Sequence, residues 1–170
     1  MAGAPMSGTF TSATVVVSAN VPIGALTPGT HTLYVRGKDV AGNWGATAAA
    51  TLIIDRTGPT ISNATVSPNP RGAATSLTLS ATATDPVNGT GPTAAPGSNV
   101  VAAEWFRGTD PGLGLATAVT VSAPPANPST LTATISTTTP TPWPSGPQVI
   151  SIRAKDAAGN WGPVTTVTVN

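Results

Sequence analysis

The chain lacks cysteine altogether, has a single histidine, and is poor in charged and aromatic residues. Without cysteine there are no disulfides, thiolate nucleophiles or cysteine-based zinc sites, and the redox compartment is left open. Charged residues make up 8% of the 170 positions, against about 25% in ordinary soluble domains. The formal charge of +1 also leaves no cluster of Lys and Arg to attract nucleic acid or an anionic membrane. We therefore expect no nucleic-acid partner.

Long apolar runs and helical periodicity are also missing. No segment approaches the roughly 18 apolar residues of a membrane-spanning helix, and no signal-peptide pattern follows Met1, so we expect no membrane insertion. Val, Ile, Leu and Ala instead alternate with Thr and Ser, which is the pattern of half-buried strands. The 18 Gly and 18 Pro residues separate these short segments. The sequence predicts an all-β protein with a thin core.

One ten-residue segment occurs twice. Residues 36–45 read RGKDVAGNWG and residues 153–162 read RAKDAAGNWG, an offset of 117 positions. Gly and Asn tolerate the positive φ of tight turns, and an Asp just before the turn accepts hydrogen bonds from its N–H groups. Each copy is therefore predicted to be the last hairpin of a β-sandwich, with the returning strand starting at Trp. The structural turn motif comprises Asp39, Gly42, Asn43, Trp44, Asp156, Gly159, Asn160 and Trp161.

The repeat predicts tandem immunoglobulin-like β-sandwiches, the first of them incomplete. Residues 1–55 hold only the last three or four strands, predicted at 8–10, 13–19, 32–38 and 44–54. A short linker, residues 56–59, contains Gly58-Pro59, which ends strand pairing. Residues 60–170 form a complete seven-stranded domain, with strands predicted at 60–66, 76–84, 99–106, 116–122, 130–137, 148–155 and 161–169. Trp105 is expected to fill the core between its two sheets, together with Trp143.

The predicted first domain has too few strands to enclose a core. Three or four strands bury one side of a sheet and leave an apolar face and a bare edge exposed. We expect another chain to complete the first domain, by pairing of two half domains or by a donated strand, unless the first domain packs against the second. This pattern indicates a fragment, a processed subunit or an assembly-dependent form.

Several motifs carry a family resemblance. The run from Gly29 to Gly45, the linker DRTGPTI at 55–61 and the segment VAAEWF at 101–106 resemble bacterial and archaeal immunoglobulin-like, or fibronectin-III-like, tandem repeats of large secreted and cell-surface proteins. The resemblance covers essentially the whole chain. It implies a spacer, stalk, fibre unit or adhesion module, in some cases beside an enzyme domain carried elsewhere in the polypeptide.

Catalytic patterns are missing. His31 is the only histidine, and the second copy has Gln148 in the equivalent region, so we interpret His31 as a solvent-facing strand residue. No Gly-x-Ser-x-Gly motif and no phosphate-binding loop occurs. The six acidic residues are scattered. The sequence predicts a protein that is not an enzyme and has no cofactor.

Calcium is the one metal for which the sequence offers candidate ligands, because calcium binds oxygen atoms supplied by loops. The candidate ligands are Asp55, Asp85, Asn99 and Asp110, with Asn88 beside them. Turn chemistry explains the same residues, since Asp85-Pro86 and Asp110-Pro111 are turn starters. With one carboxylate per loop, turn chemistry is the favoured interpretation and a calcium site is the alternative.

Two further features bear on partners. Tyr34 is the best candidate for an exposed aromatic that could stack on a sugar, while Asn63, Asn88 and the Thr- and Pro-rich segment 136–144 fit glycosylation patterns. We therefore predict an extracellular or cell-surface structural module of a stalk, surface layer, sheath or filament, assembling with itself. The alternative is an accessory carbohydrate- or protein-binding module of a larger secreted enzyme or adhesin.

Overall fold

The computed structural model describes residues 3–140 and 142–170 and is all-β within them. Its strands are β1 (Ser7–Gly8), β2 (Val17–Ser18), β3 (Gly29–Val35), β4 (Ala48–Ile54), β5 (Thr60–Ser67), β6 (Ser76–Thr84), β7 (Val100–Arg107), β8 (Thr117–Val121), β9 (Ser129–Ser136), β10 (Gln148–Asp156) and β11 (Thr165–Val169). One short 3-10 turn spans Gly91–Thr93. In this described part, no helix has the length and apolar character needed to cross a bilayer.

Seven strands form one large antiparallel sheet in the order β11-β10-β7-β8-β9-β6-β5. β8 pairs with β7 through Thr117–Val119 and with β9 through Thr120 and Val121, so it passes from one layer to the other. β11 lies against β5, which brings the two ends of the sheet together. The sheet therefore folds over on itself and nearly closes into a barrel.

Alternating aliphatic side chains fill the interior of this sheet. On β6, for example, Leu77, Leu79, Ala81 and Ala83 are all buried between exposed or half-buried Thr and Ser neighbours. The other buried apolar residues of this core are Val66, Val100, Ala103, Val119, Leu131, Ile135, Trp143, Ile150, Ile152, Ala154 and Val169. The core is thin because most of these side chains are small or medium in size.

Trp105 does not take the central place expected of it. It pairs in register with Ile152, which is fully buried, yet Trp105 itself is only partly buried and packs against the margin of the core. Trp143 is buried. Aliphatic residues of β6, β9 and β10 occupy the centre because the curled sheet brings their inward faces together.

Residues 3–55 contain two small hairpins outside this sheet. β1 pairs with β2 over two residue pairs, and β3 pairs with β4 from Gly29↔Ile54 to Val35↔Ala48. The strands predicted at 8–10 and 13–19 are thus shorter than expected, since no further strand supports them. The strands predicted to start at Trp44 and Trp161 start later, at Ala48 and Thr165. In the second copy Pro163 follows the turn and has no N–H for the ladder.

Candidate functional site

The two copies of the turn motif have the same local geometry. In the first, the Asn43 amide N–H and side-chain Nδ2 donate to the two carboxylate oxygens of Asp39, at 2.8 and 3.1 Å. In the second, the same atoms of Asn160 donate to Asp156 at 2.8 and 2.9 Å. Gly42 and Gly159 both have a positive φ, of 95° and 101°. Each Asp therefore fixes its turn in the way that the residue types predict.

The surroundings of the two Asp residues differ. Asp39 is exposed, and hydrogen bonds from the backbone and side chain of Asn43 lower its pKa. Asp156 is buried, and it lies with Asp55 and Asp85 in a group whose carboxylates each place one oxygen within 4.8 Å of the others. We call Asp55, Asp85 and Asp156 the acidic cluster.

The acidic cluster forms because three strand ends meet at one pole of the sheet. Asp85 follows β6, Asp156 ends β10, and Asp55 lies after β4 on the way into β5. The link into β5 packs tightly on the second turn: a Cβ added to Gly162 would lie 1.7 Å from the Pro59 carbonyl oxygen. Only glycine permits this contact, which draws Asp55 toward the buried pair.

Hydrogen bonds from neighbouring segments hold the acidic cluster in place. The Ser98 amide donates to Asp85 Oδ2 at 2.6 Å, and the Ser98 hydroxyl donates to Asp55 Oδ2. Asn160 Nδ2 reaches Asp55 Oδ1 at 3.3 Å as well as Asp156. Asp85 Oδ1 is buried and accepts no hydrogen bond from any group in the described part of the chain. The cluster is thus positioned by four separate segments and still leaves one carboxylate oxygen without a partner among the described residues.

The acidic cluster concentrates negative charge. Burial first, and then the neighbouring charges of Asp55 and Asp156, raise the pKa of Asp85 to about 6, although the Ser98 amide partly offsets this. Within residues 3–140 and 142–170, no Lys or Arg forms a salt bridge with the three carboxylates. Three acidic groups at this spacing, without a cationic partner, are chemically suited to bind a divalent cation through oxygen.

The structure brings together only part of the ligand set considered from the sequence. Asp55 and Asp85 meet, whereas Asn99 is exposed and uses its backbone carbonyl to accept from the Ala157 amide. Asp110 lies elsewhere and binds Arg153 through both carboxylate oxygens, at 2.7 and 3.0 Å. Asn88 is buried, and its backbone bridges to Ala95.

Sequence reasoning assigned Asp156 and Asn160 to the turn alone and passed over Ser98. A signal was available, because Asp55, Asp85 and Asp156 each stand at the end of an apolar strand segment. In an antiparallel sandwich alternate strands end at the same pole, so strand counting could have placed Asp85 and Asp156 together. The sequence predicts His31 to be a solvent-facing strand residue. In the structure its side chain is half-buried, and its Nε2 contacts the Thr27 carbonyl oxygen at 2.8 Å.

The β3–β4 hairpin forms a second unusual feature, which we call the bare hairpin. Val35↔Ala48 and Ile152↔Thr165 are equivalent pairs at the 117-residue offset, so the two hairpins share one register. β10 pairs with β11 on one edge and β7 on the other, whereas β3 pairs, within residues 3–140 and 142–170, only with β4. Ile152 is fully buried, but its equivalent Val35 is 39% exposed. β3 therefore exposes a face and an edge whose equivalents in β10 are covered by other strands of the same chain.

Comparisons of the chain with protein-family models, with curated proteins and with solved structures give no match. The likeness to immunoglobulin-like repeats therefore remains a resemblance of motifs. Function has to be inferred from the acidic cluster and the bare hairpin themselves.

Proposed function

We propose that this chain is a non-enzymatic structural module of an extracellular or cell-surface assembly, such as a stalk, sheath, surface layer or filament. In this proposal a second copy of the chain covers the bare hairpin. One observation carries it: the two hairpins share one register, but β10 is paired on both edges with Ile150 and Ile152 fully buried, whereas its equivalent β3 pairs only with β4 within the described residues and leaves Val35 39% exposed.

Burial of the bare hairpin has a clear physical benefit. Val35 and Leu33 are equivalent to Ile152 and Ile150, both of which are fully buried. Removing apolar surface from water stabilises by about 25 cal/mol per Å², and a strand edge with free N–H and C=O groups readily pairs with another strand. A twofold arrangement in which two β3 strands pair antiparallel satisfies both edges with one contact. The formal charge of only +1 adds little repulsion between copies.

Strand order supports the immunoglobulin-like interpretation of the second unit. One layer contains β5, β6, β9 and the end of β8, and the other contains β11, β10, β7 and the start of β8. Seven-stranded immunoglobulin sandwiches divide their strands four and three in the same sequence order. In this proposal β3 and β4 correspond to the last two strands of a preceding sandwich.

The first experiment tests self-association. Analytical ultracentrifugation of the purified chain is expected to show dimers or larger species whose fraction grows with concentration. Val35→Lys places a charge on the face to be buried and is expected to leave the chain monomeric. Tyr34→Lys adds the same charge on the opposite face of β3, where the side chain is 71% exposed, and is expected to leave association intact. A wild-type chain that stays monomeric at every concentration contradicts the proposal.

A binding module is the second candidate, and exposed aromatic residues favour it. Tyr34 is 71% and Trp44 is 55% exposed, and both line a concave surface that also includes Phe10. The Arg36 guanidinium stacks on Trp44 at 4.3 Å from the ring centre, so Tyr34 is the freer platform for a sugar ring. In affinity electrophoresis through polysaccharide gels, retardation that Tyr34→Lys abolishes is the result expected of this function.

A further inference from the structure

We propose that the acidic cluster binds a single calcium ion, held by the carboxylates of Asp55, Asp85 and Asp156 with the Ser98 hydroxyl and the Asn160 side chain as further oxygen ligands. The ion would fasten the segment after β4 to the pole of the seven-stranded sheet. This inference is separate from the assembly proposed above, because it concerns the copy of the turn motif that is already covered.

Geometry allows one ion to reach all three carboxylates. Because one oxygen from each lies within 4.8 Å of the other two, a point between them can be about 2.8 Å or less from every one. Calcium–oxygen distances are about 2.3–2.6 Å, so shifts of a few tenths of an ångström complete the contact. Side-chain rotation suffices for Asp55, which is only half-buried.

The unpaired oxygen of Asp85 points to a missing partner. Asp85 is 3% exposed, its Oδ1 is buried, and no donor in residues 3–140 and 142–170 forms a hydrogen bond to that atom. A buried carboxylate oxygen without a partner is costly, and the negative charges of the neighbouring Asp55 and Asp156 repel it further. A divalent cation removes both penalties together, by coordinating the carboxylate and by neutralising its neighbours.

The donor set selects calcium among common cations. The acidic cluster and its surroundings offer carboxylate, hydroxyl and amide oxygens, which suit hard cations and not zinc or copper. Asn160 directs Nδ2 toward Asp55 and Asp156, and a half-turn of this amide presents Oδ1 instead. Ligands from four separate segments fit the irregular, many-coordinate sphere of calcium better than the strict octahedron of magnesium.

The first copy of the turn motif provides an internal control. Asp39 and Asn43 repeat the hydrogen bonds of Asp156 and Asn160. Asp39, however, is exposed, and the acidic groups found together in the described residues are those of the cluster alone. One carboxylate with an amide is too few ligands for specific calcium binding. Asp39→Asn therefore alters the same turn chemistry without touching the proposed site.

Thermal unfolding of the whole chain, in EDTA and in excess CaCl₂, tests the site. At a calcium concentration about 100 times the dissociation constant, the melting temperature of the wild type is expected to rise by about 5–10 °C and to fall again on chelation. Asp85→Asn is expected to lose this response. In EDTA it is expected to melt above the wild type, because it removes an uncompensated charge. Asp39→Asn is expected to respond as the wild type does.

Three outcomes would overturn the inference: a wild type that ignores calcium, an Asp85→Asn variant that keeps the full shift, or an Asp39→Asn variant that loses it. If Asp85→Asn fails to fold, terbium luminescence of the wild type decides the question, since Trp161 follows the ligand Asn160 and can sensitise a bound lanthanide. Sensitised terbium emission that saturates at one ion per chain and is lost when calcium is added supports the site. The absence of sensitised emission refutes it. Val35→Lys should leave the calcium response unchanged, which keeps this test separate from self-association.

Discussion

Arg153 illustrates how one residue type takes different roles at equivalent positions. Its Nε donates to Glu104 Oε1 at 2.6 Å, and both side chains are 4% exposed. Asp110 binds the other end of the guanidinium, and Glu104 also accepts from the amides of Gly114 and Ala116. The network joins β7, β10 and the loop before β8. Arg153 also lies over the Trp161 ring, 5.7 Å from its centre. The equivalent Arg36 keeps this stacking, at 4.3 Å from the centre of Trp44, but forms no salt bridge within the described residues.

Substitution at these two arginines should therefore have very different effects on stability. Arg153→Gln leaves Glu104 buried without its counter-charge and is expected to lower the free energy of unfolding by about 3–5 kcal/mol. Arg36→Gln removes only an exposed stacking contact and is expected to cost about 0.5–1 kcal/mol. Urea denaturation of both variants measures the difference. Equal losses would show that the buried pair adds nothing beyond a surface contact.

The same network gives the protein a pH dependence. Burial alone would raise the pKa of Glu104, but the hydrogen bond from Arg153 and those from Ala116 and Gly114 outweigh it and lower the pKa below its usual value. A carboxylate with a lowered folded-state pKa stabilises the fold above its unfolded pKa, and this contribution disappears as pH falls through the folded value. Stability from this network is expected to be lost below about pH 4.5.

The variant Arg153→Gln isolates this contribution in a pH series of unfolding experiments. Asp85 acts in the opposite sense, because its pKa is raised to about 6 and its protonation as pH falls favours the folded state. Because Asp85 is present in both proteins, its contribution to the pH dependence of stability cancels in the comparison. The wild type should therefore lose more stability than Arg153→Gln below about pH 4.5. Parallel pH curves would contradict the assignment.

At the scale of elements, the link into β5 depends on closely packed glycines, Gly58 and Gly162. A Cβ at Gly162 would lie 1.7 Å from the Pro59 carbonyl oxygen, whereas the nearest atom to a Cβ at Gly45 is the Gly37 oxygen at 3.6 Å. Gly162→Ala is expected to destabilise by about 1–3 kcal/mol, since the backbone must move. Gly45→Ala is expected to be neutral or to stabilise by up to about 1 kcal/mol by restricting the unfolded chain. Chemical denaturation distinguishes them, and equal effects would show that the link does not pack there.

The repeated segment and the alternating pattern were enough to predict much of this element-level arrangement. β6 spans 76–84 as expected, because its alternating Leu and Ala residues bury one face. The strand predicted at 13–19 shrinks to Val17–Ser18, because propensity without a supporting neighbour makes only a short bridge. The acidic cluster needed topology as well: its three members lie in different segments, and the turn already explained Asp156 on its own.

At the scale of the whole molecule, the two hairpins allow assembly to be followed within one chain by hydrogen exchange. β10 has partners on both edges, so its amides should exchange slowly at every protein concentration. Within the described residues of the single chain, the amides of β3 on the edge away from β4 have no partner strand, and they should exchange quickly in dilute solution. If copies pair through β3, protection there rises with concentration while that of β10 stays constant. The Val35→Lys variant should show fast β3 exchange throughout. Concentration-independent exchange in wild-type β3 would mean that the bare hairpin stays uncovered, and its role as an assembly surface would have to be abandoned.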